Sequence, residues 1–500
     1  MSLNAEPARP EERQAHQLPP KSYAAAAEEA IAPEPHVTDT DGTTDHRPTH
    51  ISNLQSHGRI IIPSGDETEQ YEGAGQDGSP RTPTKGHRRK TSLKGNGSLG
   101  RKHGEVIAGD LFGQHEDDNG LTLATVKPPA DYEKDNRNDT KPGRLSFDLM
   151  SGRQAGAGWQ KSKIRFAPLN VPLQRRLQTL AVLMHTLSIA GTLGIFFFLC
   201  SIPLLWPILL PYLIYVLFSN AGTSGELSFR SDRLRRLPVW SLFASYFPAR
   251  LHRSQELEPT RKYVLGYHPH GIISHGAFAA FATEALGFSQ LFPGITNTLL
   301  TLDSNFRIPL YREYALRMGL ASVSRESCEN ILSKGGRNGE GMGRAITIVV
   351  GGARESLDAQ PGTLRLVLRK RQGFVKLAIR QGADLVPVLA FGENDIYEQL
   401  DPQSHPTMHK FQMLVKKLMG FTVPLFHARG VFNYDVGMMP YRRPINIVVG
   451  RPIRVVQNKH PDKEYIEQVH EKYTQELLRL WDEWKHTFAK ERTAELELVE

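Results

Sequence analysis

The stretch KYVLGYHPHGIISHGAFAAFATEALGF, Lys262 to Phe288, decides how the second half of this chain is read. Lys262 to Tyr267 is a short apolar run of the kind buried on both faces of a sheet. Ser274 to Phe288 has the composition of a helix, and a histidine loop lies between the two. The same alternation continues outward: AITIVV (Ala345 to Val350) is a strand, GFVKLAIRQ (Gly373 to Gln381) a helix, DLVPVLAF (Asp384 to Phe391) a strand and INIVVG (Ile445 to Gly450) another. Asp462 to Ala489 has helical spacing, with Tyr465, Val469, Tyr473, Leu477, Leu480 and Trp484 on one broad face. Strands alternating with helices are the signature of βαβ units, so residues 230–490 are expected to form a single α/β domain.

Loops at the carboxyl ends of strands in such sheets are where ligands and catalytic groups collect, which directs attention to YHPHG, Tyr267 to Gly271. Pro269 favours extended geometry at His268, and residues i and i+2 of an extended run point the same way, so His268 and His270 are expected on one side. Three readings of these histidines stand. One of them is a general base, with a helix N-terminus just beyond supplying donors to a developing oxyanion; both are structural caps; or they ligate a metal together with His275. A metal would want carboxylate or cysteine partners at ligand spacing, and none is near in sequence. The second constellation is VVGGARESL, where the strand ends in Gly351 and Gly352 and Glu355 follows at the same expected sheet edge. A carboxylate there either fixes the orientation of a histidine or pairs with Arg354 or Arg371 at the surface. NFRIPLYREYALR brings Arg307 and Arg312 to the same zone; with Arg371 and Lys376 they would meet the phosphates of a bulky co-substrate, or else lie solvated on helix faces. No G-x-S-x-G elbow of a serine lipase occurs, and NGEGMG at Asn338 to Gly343 opens no helix, so it is no dinucleotide loop.

The first half of the chain is of another kind. Although the chain has 500 residues, only 39% are hydrophobic, and it holds 43 glycines and 33 prolines, concentrated in a way that implies an unfolded part. Residues 1–160 are read as a disordered basic and polar tail. Within it Arg88, Arg89 and Lys90 precede Thr91 and Ser92 as a basophilic kinase requires, and the same charges suit anionic lipid or a solvated linker. The net charge of +8 either favours anionic surfaces or serves solubility. Two cysteines, Cys200 and Cys328, offer no disulfide framework and fit a reducing compartment. The opening MSLNAEPARPEERQ lacks the apolar core of a secretory signal, so targeting is expected from an internal segment. That segment is Leu177 to Phe218, which carries no Asp, Glu, Lys or Arg and is centred on GIFFFLCSIPLLWPILLPYLIYVLF. As continuous helix it would be roughly 63 Å long, about twice a hydrocarbon core. Pro203, Pro207 and Pro211 sit near its middle, so a transmembrane hairpin of two membrane-crossing helices is expected, and Arg and Lys flanking both ends place both termini in the cytosol.

These strings resemble the type 2 diacylglycerol acyltransferase family, which also contains monoacylglycerol and wax-alcohol acyltransferases. The resemblance runs from Leu177 to Trp484 and rests on YHPHG, NFRIPLYREY (Asn305 to Tyr314), GGARESL (Gly351 to Leu357), RQGFVKLAIRQGADLVPV (Arg371 to Val388), FGEN (Phe391 to Asn394) and GRPI (Gly450 to Ile453). It implies a glycerolipid-acyltransferase-like mixed sheet with flanking helices, and an endoplasmic reticulum or lipid-droplet enzyme that acylates diacylglycerol from acyl-CoA. No resident cofactor or metal and no nucleic-acid partner is expected, and the oligomeric state is left open between a monomer and a homo-oligomer. His270 is then the base, Glu355 orients or polarises it, and His268 shapes the loop. Substrate contacts fall to Tyr267, Pro269, Gly271, Asn305, Arg307, Arg312, Gly351, Gly352, Arg371 and Lys376. The wider glycerolipid acyltransferases place an Asp after His and four further residues; here that position after His270 is His275, so the partner carboxylate must be remote. Monoacylglycerol, sterol and fatty-alcohol acceptors, and a non-catalytic lipid-binding protein, are the rival readings.

Overall fold

The computed structural model describes residues 112–116, 120–128, 166–167, 170–399, 405–419 and 424–499. The β-branched and leucine-rich runs become strands: β1 (Phe112–Glu116), β2 (Thr122–Val126), β3 (Arg250–Arg253), β4 (Lys262–His268), β5 (Thr296–Thr301), β6 (Ala321–Ser322), β7 (Arg344–Val349), β8 (Arg365–Val367), β9 (Ala383–Phe391), β10 (Glu398–Gln399), β11 (Phe426–His427), β12 (Asn446–Val449) and β13 (Glu497–Val499). Nine of them build one mixed sheet in the order β1-β2-β3-β12-β9-β4-β7-β5-β6. The stretch from β9 to β6 is parallel throughout. β12 runs antiparallel to β9 and parallel to β3, while β2 and β1 add an antiparallel edge. A strand covered on both faces must be apolar along its whole length, and all nine residues of β9 are buried.

The longer helices are α1 (Leu173–Thr186), α2 (Ser188–Cys200), α3 (Trp206–Phe218), α4 (Pro238–Tyr246), α5 (Tyr311–Arg317), α6 (Arg325–Ser333), α7 (Gly373–Gln381), α8 (Pro406–Met419) and α9 (Lys463–Phe488). Alternation along β4 divides the core. Tyr263, Leu265 and Tyr267 pack with Trp240 and Phe243 of α4 and with Phe278 and Phe281. Val264 faces the opposite core, with Cys328 of α6, Phe374 of α7 and Tyr473, Leu477 and Trp484 of α9. The expected face of α9 is confirmed at Val469, Tyr473, Leu477, Leu480 and Trp484, to which Ile466, His470 and Trp481 are added.

Three expectations are corrected. β1 and β2 fall inside the stretch read as a disordered tail: Leu123 and Thr125 are buried, and Thr125 Oγ1 donates to the Leu251 carbonyl at 2.9 Å. TLATV is short but β-rich, and pairing with β3 supplies the partner that it lacks in isolation. Ser274 to Phe288 is not one helix. Only His275–Ala277 is helical; it widens into a π turn at Phe278–Ala282 and stops at Thr283, because this fully buried, alanine-rich segment follows the floor of the core. The apolar stretch divides differently as well. Its first part belongs to α1, which lies on α4 with Ala181 and Val182 buried, and Arg442 donates to Gln178 Oε1 at 2.6 Å and to the Arg175 carbonyl at 2.9 Å. The rest is α2 and α3, separated by a break at Ser201 and Pro203–Leu205, across which Trp206 Nε1 donates to the Cys200 carbonyl at 2.9 Å. Among the described residues no single helix is long and apolar enough to cross a membrane; α1 and α2 pass that test only together and are bent by 65°. Thr91 and Ser92 lie outside the described residues.

Candidate active site

β4 lies between β7 and β9, parallel to both, with Tyr267 opposite Val349 on one side and Val388 on the other. Three strands therefore end side by side at one edge of the sheet. The loop after β4 carries His270, the turn after β7 carries Glu355 in Gly352–Glu355, and the turn after β9 carries Glu393 in Glu393–Ile396. Sequence neighbours are remote here, and residues 85 and 117 or more positions apart are in contact.

The two histidines of the loop part company. His268 ends β4 fully buried, its Nε2 2.8 Å from the Tyr473 hydroxyl on α9. That hydroxyl donates to the Gly266 carbonyl at 3.1 Å, so it accepts from His268 Nε2–H. Burial, reinforced by His470, lowers the His268 pKa to about 3 and keeps the ring neutral. His270 is half-buried and has different neighbours. Its Nδ1–H donates to the Gly271 carbonyl at 3.1 Å, which fixes the tautomer and leaves the lone pair on Nε2. Burial lowers its pKa as well, against the opposing pull of that carbonyl. The expectation that both rings share one side is overturned, because packing beneath α9 claims His268. His275 is also drawn elsewhere, with its Nε2 2.9 Å from the Tyr397 hydroxyl.

Glu355 meets His270 by an unexpected route. Oε1 accepts from the His270 backbone N–H at 2.5 Å and Oε2 from the Val367 N–H at 2.8 Å, so the carboxylate braces the loop's backbone and does not touch the imidazole. Burial pushes its pKa up to about 7, opposed by those two N–H groups and by Arg371. Gly351 is required beside it, since a Cβ there would overlap the carboxylate.

Of the expected substrate contacts, several are structural. Tyr267 is buried and donates to Glu393 Oε2 at 2.7 Å. Pro269 is buried, Gly271 turns the loop at φ +61°, and Gly352 adopts φ +59° at the foot of the Glu355 turn. Asn305 Nδ2 donates to Thr301 Oγ1 at 2.7 Å at the end of β5. Arg307 is exposed and pairs with Asp303 at 3.4 Å. Arg312 is not available to a phosphate: it is buried, donates to Ser219 Oγ at 3.0 Å and lies 4.7 Å from the Tyr215 ring centroid, where it fastens α3 to the domain. Arg371 sits beyond β8 with its charge acting on Glu355, and Lys376 is half-buried on α7. Glu393 is the residue that the sequence reading overlooked. FGEN entered only as part of a resemblance, although it offers the same signal as Glu355, a carboxylate just past a parallel strand. Burial pushes the Glu393 pKa up to about 7 also, opposed by Tyr267 and by the His275 and Gly276 N–H groups. At the helix N-terminus expected to serve an oxyanion, the Gly276 N–H is spent on Glu393 Oε2 at 2.9 Å.

The diacylglycerol acyltransferase family pattern matches residues 197–499, which include every element of this edge. The chain belongs to the diacylglycerol acyltransferase family. It is 50% identical to diacylglycerol O-acyltransferase 2A of Umbelopsis ramanniana over 340 residues, covering 67% of this chain and 94% of that one. It is 47% identical to diacylglycerol O-acyltransferase 1 of Schizosaccharomyces pombe over 323 residues, 64% and 91% of the two chains. With bovine 2-acylglycerol O-acyltransferase 1 the identity is 46% over 327 residues, 65% and 96%. The protein is thus an acyltransferase. In this family member the apolar helix α3 is fastened to the segment that follows β5, at the same sheet edge as the histidine loop. Tyr212 of α3 accepts from the Leu310 N–H at 2.7 Å, and His185, in the last turn of α1, lies 4.0 Å ring to ring from Phe278.

Proposed function

We propose that this acyltransferase moves an acyl group from acyl-CoA to the free hydroxyl of a diacylglycerol, with His270 as general base. The observation that carries the reading is the fixed tautomer of His270 at the edge where α3 is fastened. Nε2 takes the hydroxyl proton as the oxygen attacks the thioester carbon. The tetrahedral adduct then expels the CoA thiolate, which recovers the proton from the imidazolium, and triacylglycerol and CoA leave. A thiolate with a pKa near 8.5 departs readily, so positioning and base catalysis supply most of the rate. His268 and Glu355 shape the loop, and Arg371 and Lys376, with Arg307 at the rim, are assigned to the acyl-CoA phosphates. The 46% identity to a 2-acylglycerol acyltransferase favours monoacylglycerol as the second acceptor.

The seat of the enzyme is a lipid surface. Phe197, Phe198, Leu204, Ile208, Leu217 and Phe218 of the hairpin are all more than 60% exposed, an apolar surface that water disfavours. Each hairpin helix has 13 residues, about 20 Å, against a hydrocarbon core of about 30 Å. The hairpin therefore enters one leaflet and returns, with both flanks on the cytosolic face of the endoplasmic reticulum. A device that needs one leaflet also suits the monolayer of a lipid droplet.

Membranes containing the full chain, given labelled acyl-CoA and a panel of acceptors, test the reading. Labelled triacylglycerol is expected from diacylglycerol, and none from His270→Ala. Full activity in that variant removes the base assignment, and failure of every acceptor favours a non-catalytic lipid-binding protein. Replacing Phe197, Phe198, Leu217 and Phe218 by Ser should release the protein into carbonate washes; retention would refute the shallow anchor.

A further inference from the structure

Glu393 takes part in none of the steps above, yet it is buried directly beneath the loop that performs them. A single oxygen, Oε2, accepts both the Tyr267 hydroxyl at 2.7 Å and the Gly276 N–H at 2.9 Å. The other, Oε1, makes no hydrogen bond of good geometry among the described residues, although the His275 backbone N–H also acts on the carboxyl. A buried carboxylate with a bare oxygen costs stability that a well-packed apolar residue of similar volume would not, so stability alone gives no reason for this side chain. Its position gives one. A Cβ on Gly271 would stand only 2.8 Å from Glu393 Cγ and 3.3 Å from its carbonyl, so the Gly271 backbone rests on the Glu393 stem. That same Gly271 carbonyl accepts from His270 Nδ1–H and so decides which imidazole nitrogen is bare. The loop is thereby held from both sides, by Glu355 at the His270 N–H and by Glu393 under Gly271.

We propose that Glu393 is a positioning residue for the acyl transfer: it supports Gly271 so that the Gly271 carbonyl stays on His270 Nδ1 and Nε2 remains the base. The inference rests on the reading of His270 as base, and the test separates the two. The full chain is expressed in membranes, quantified by blot, and titrated with acyl-CoA and diacylglycerol. Glu393→Ala is expected to lower kcat at least about 30-fold while both KM values stay within about twofold, the pattern of an interaction felt at the reacting centre rather than in substrate binding. Glu393→Gln can accept both donors with its amide oxygen and place its NH2 at the bare position, so it should recover kcat to within about fivefold of the parent. Tyr267→Phe removes one donor without changing packing and should cost about five- to tenfold in kcat alone. A parental kcat in Glu393→Ala, a loss confined to KM, or Glu393→Gln as poor as Glu393→Ala would each overturn the proposal. If Glu393→Ala does not accumulate, Tyr267→Phe decides, and parental kcat there overturns it. Inactive His270→Ala beside parental Glu393→Ala removes only this inference, whereas active His270→Ala removes the base itself.

Discussion

The two edges of the central sheet use buried carboxylates in opposite ways. At the amino-terminal end of β9, Asp384 receives Arg261, whose Nη2 lies 2.6 Å from Oδ1, together with Arg454 at 3.3 Å and the Val455 N–H at 3.1 Å. That edge joins β4, β9 and the segment after β12, and the charge is matched by cations. At the carboxyl-terminal edge, Glu355 and Glu393 are held by backbone N–H groups and one tyrosine hydroxyl, and burial pushes both up to about 7. A carboxylate matched by guanidinium fastens strands. One left poised between its two protonation states is tolerated where a loop has chemistry to perform.

Asp384→Ala presses hardest on this distinction. It leaves Arg261 and the Val455 N–H without their acceptor and is expected to cost about 3 kcal/mol of stability, with kcat per folded molecule unchanged. Thermal unfolding beside specific activity checks it, and a fall in kcat without a fall in stability would blur the two edges. Glu355→Gln should reach the chemistry as well. Each of its oxygens serves a different N–H, so an amide must turn NH2 against one of them, and kcat per folded molecule should fall about 100-fold beside a stability loss of about 1–3 kcal/mol. Glu393→Gln, by contrast, is well tolerated for the reason given above. Tyr473→Phe removes the acceptor of His268 Nε2–H and should cost about 2 kcal/mol, read by unfolding, while the acceptor profile stays parental.

The pH dependence of stability follows from the sign of the shifts. For a carboxyl raised from 4.5 to about 7, the stabilisation is complete below the unfolded pKa and is lost as pH rises through the folded one. The parent should therefore unfold about 2–4 °C lower at pH 8 than at pH 6, and the difference should shrink in Glu393→Gln. An unchanged difference would assign the effect elsewhere. The smallest effect is expected at Arg307, which is exposed and paired only with Asp303 among the described residues. Arg307→Ala should raise KM for acyl-CoA by no more than about twofold, since a phosphate contact made at the exposed rim is screened by water and salt.

Much of this was legible in the residues because it depends on local pattern. β4, β7, β9, α7 and α9 lie within a residue or so of their expected bounds, since a buried parallel strand must be apolar throughout and an amphipathic helix must keep its period. The histidine loop and Glu355 were found by the same logic of strand ends. β3 and β5 escaped notice because their runs are short or polar, and β2 because TLATV is too brief to signal a strand until β3 pairs with it.

What the sequence determined by itself is the alternation of strands and helices, the apolar stretch and the family strings, all of which follow from side-chain type and spacing. Only the tertiary structure decided that His268 is spent on Tyr473, that Arg312 of α5 fastens α3, that Glu355 holds a backbone N–H, and that Glu393 lies under the loop. Those facts turn on the order β9-β4-β7. Hydrogen bonding between strands far apart in sequence fixes which loop ends meet, and no local pattern encodes that neighbourhood.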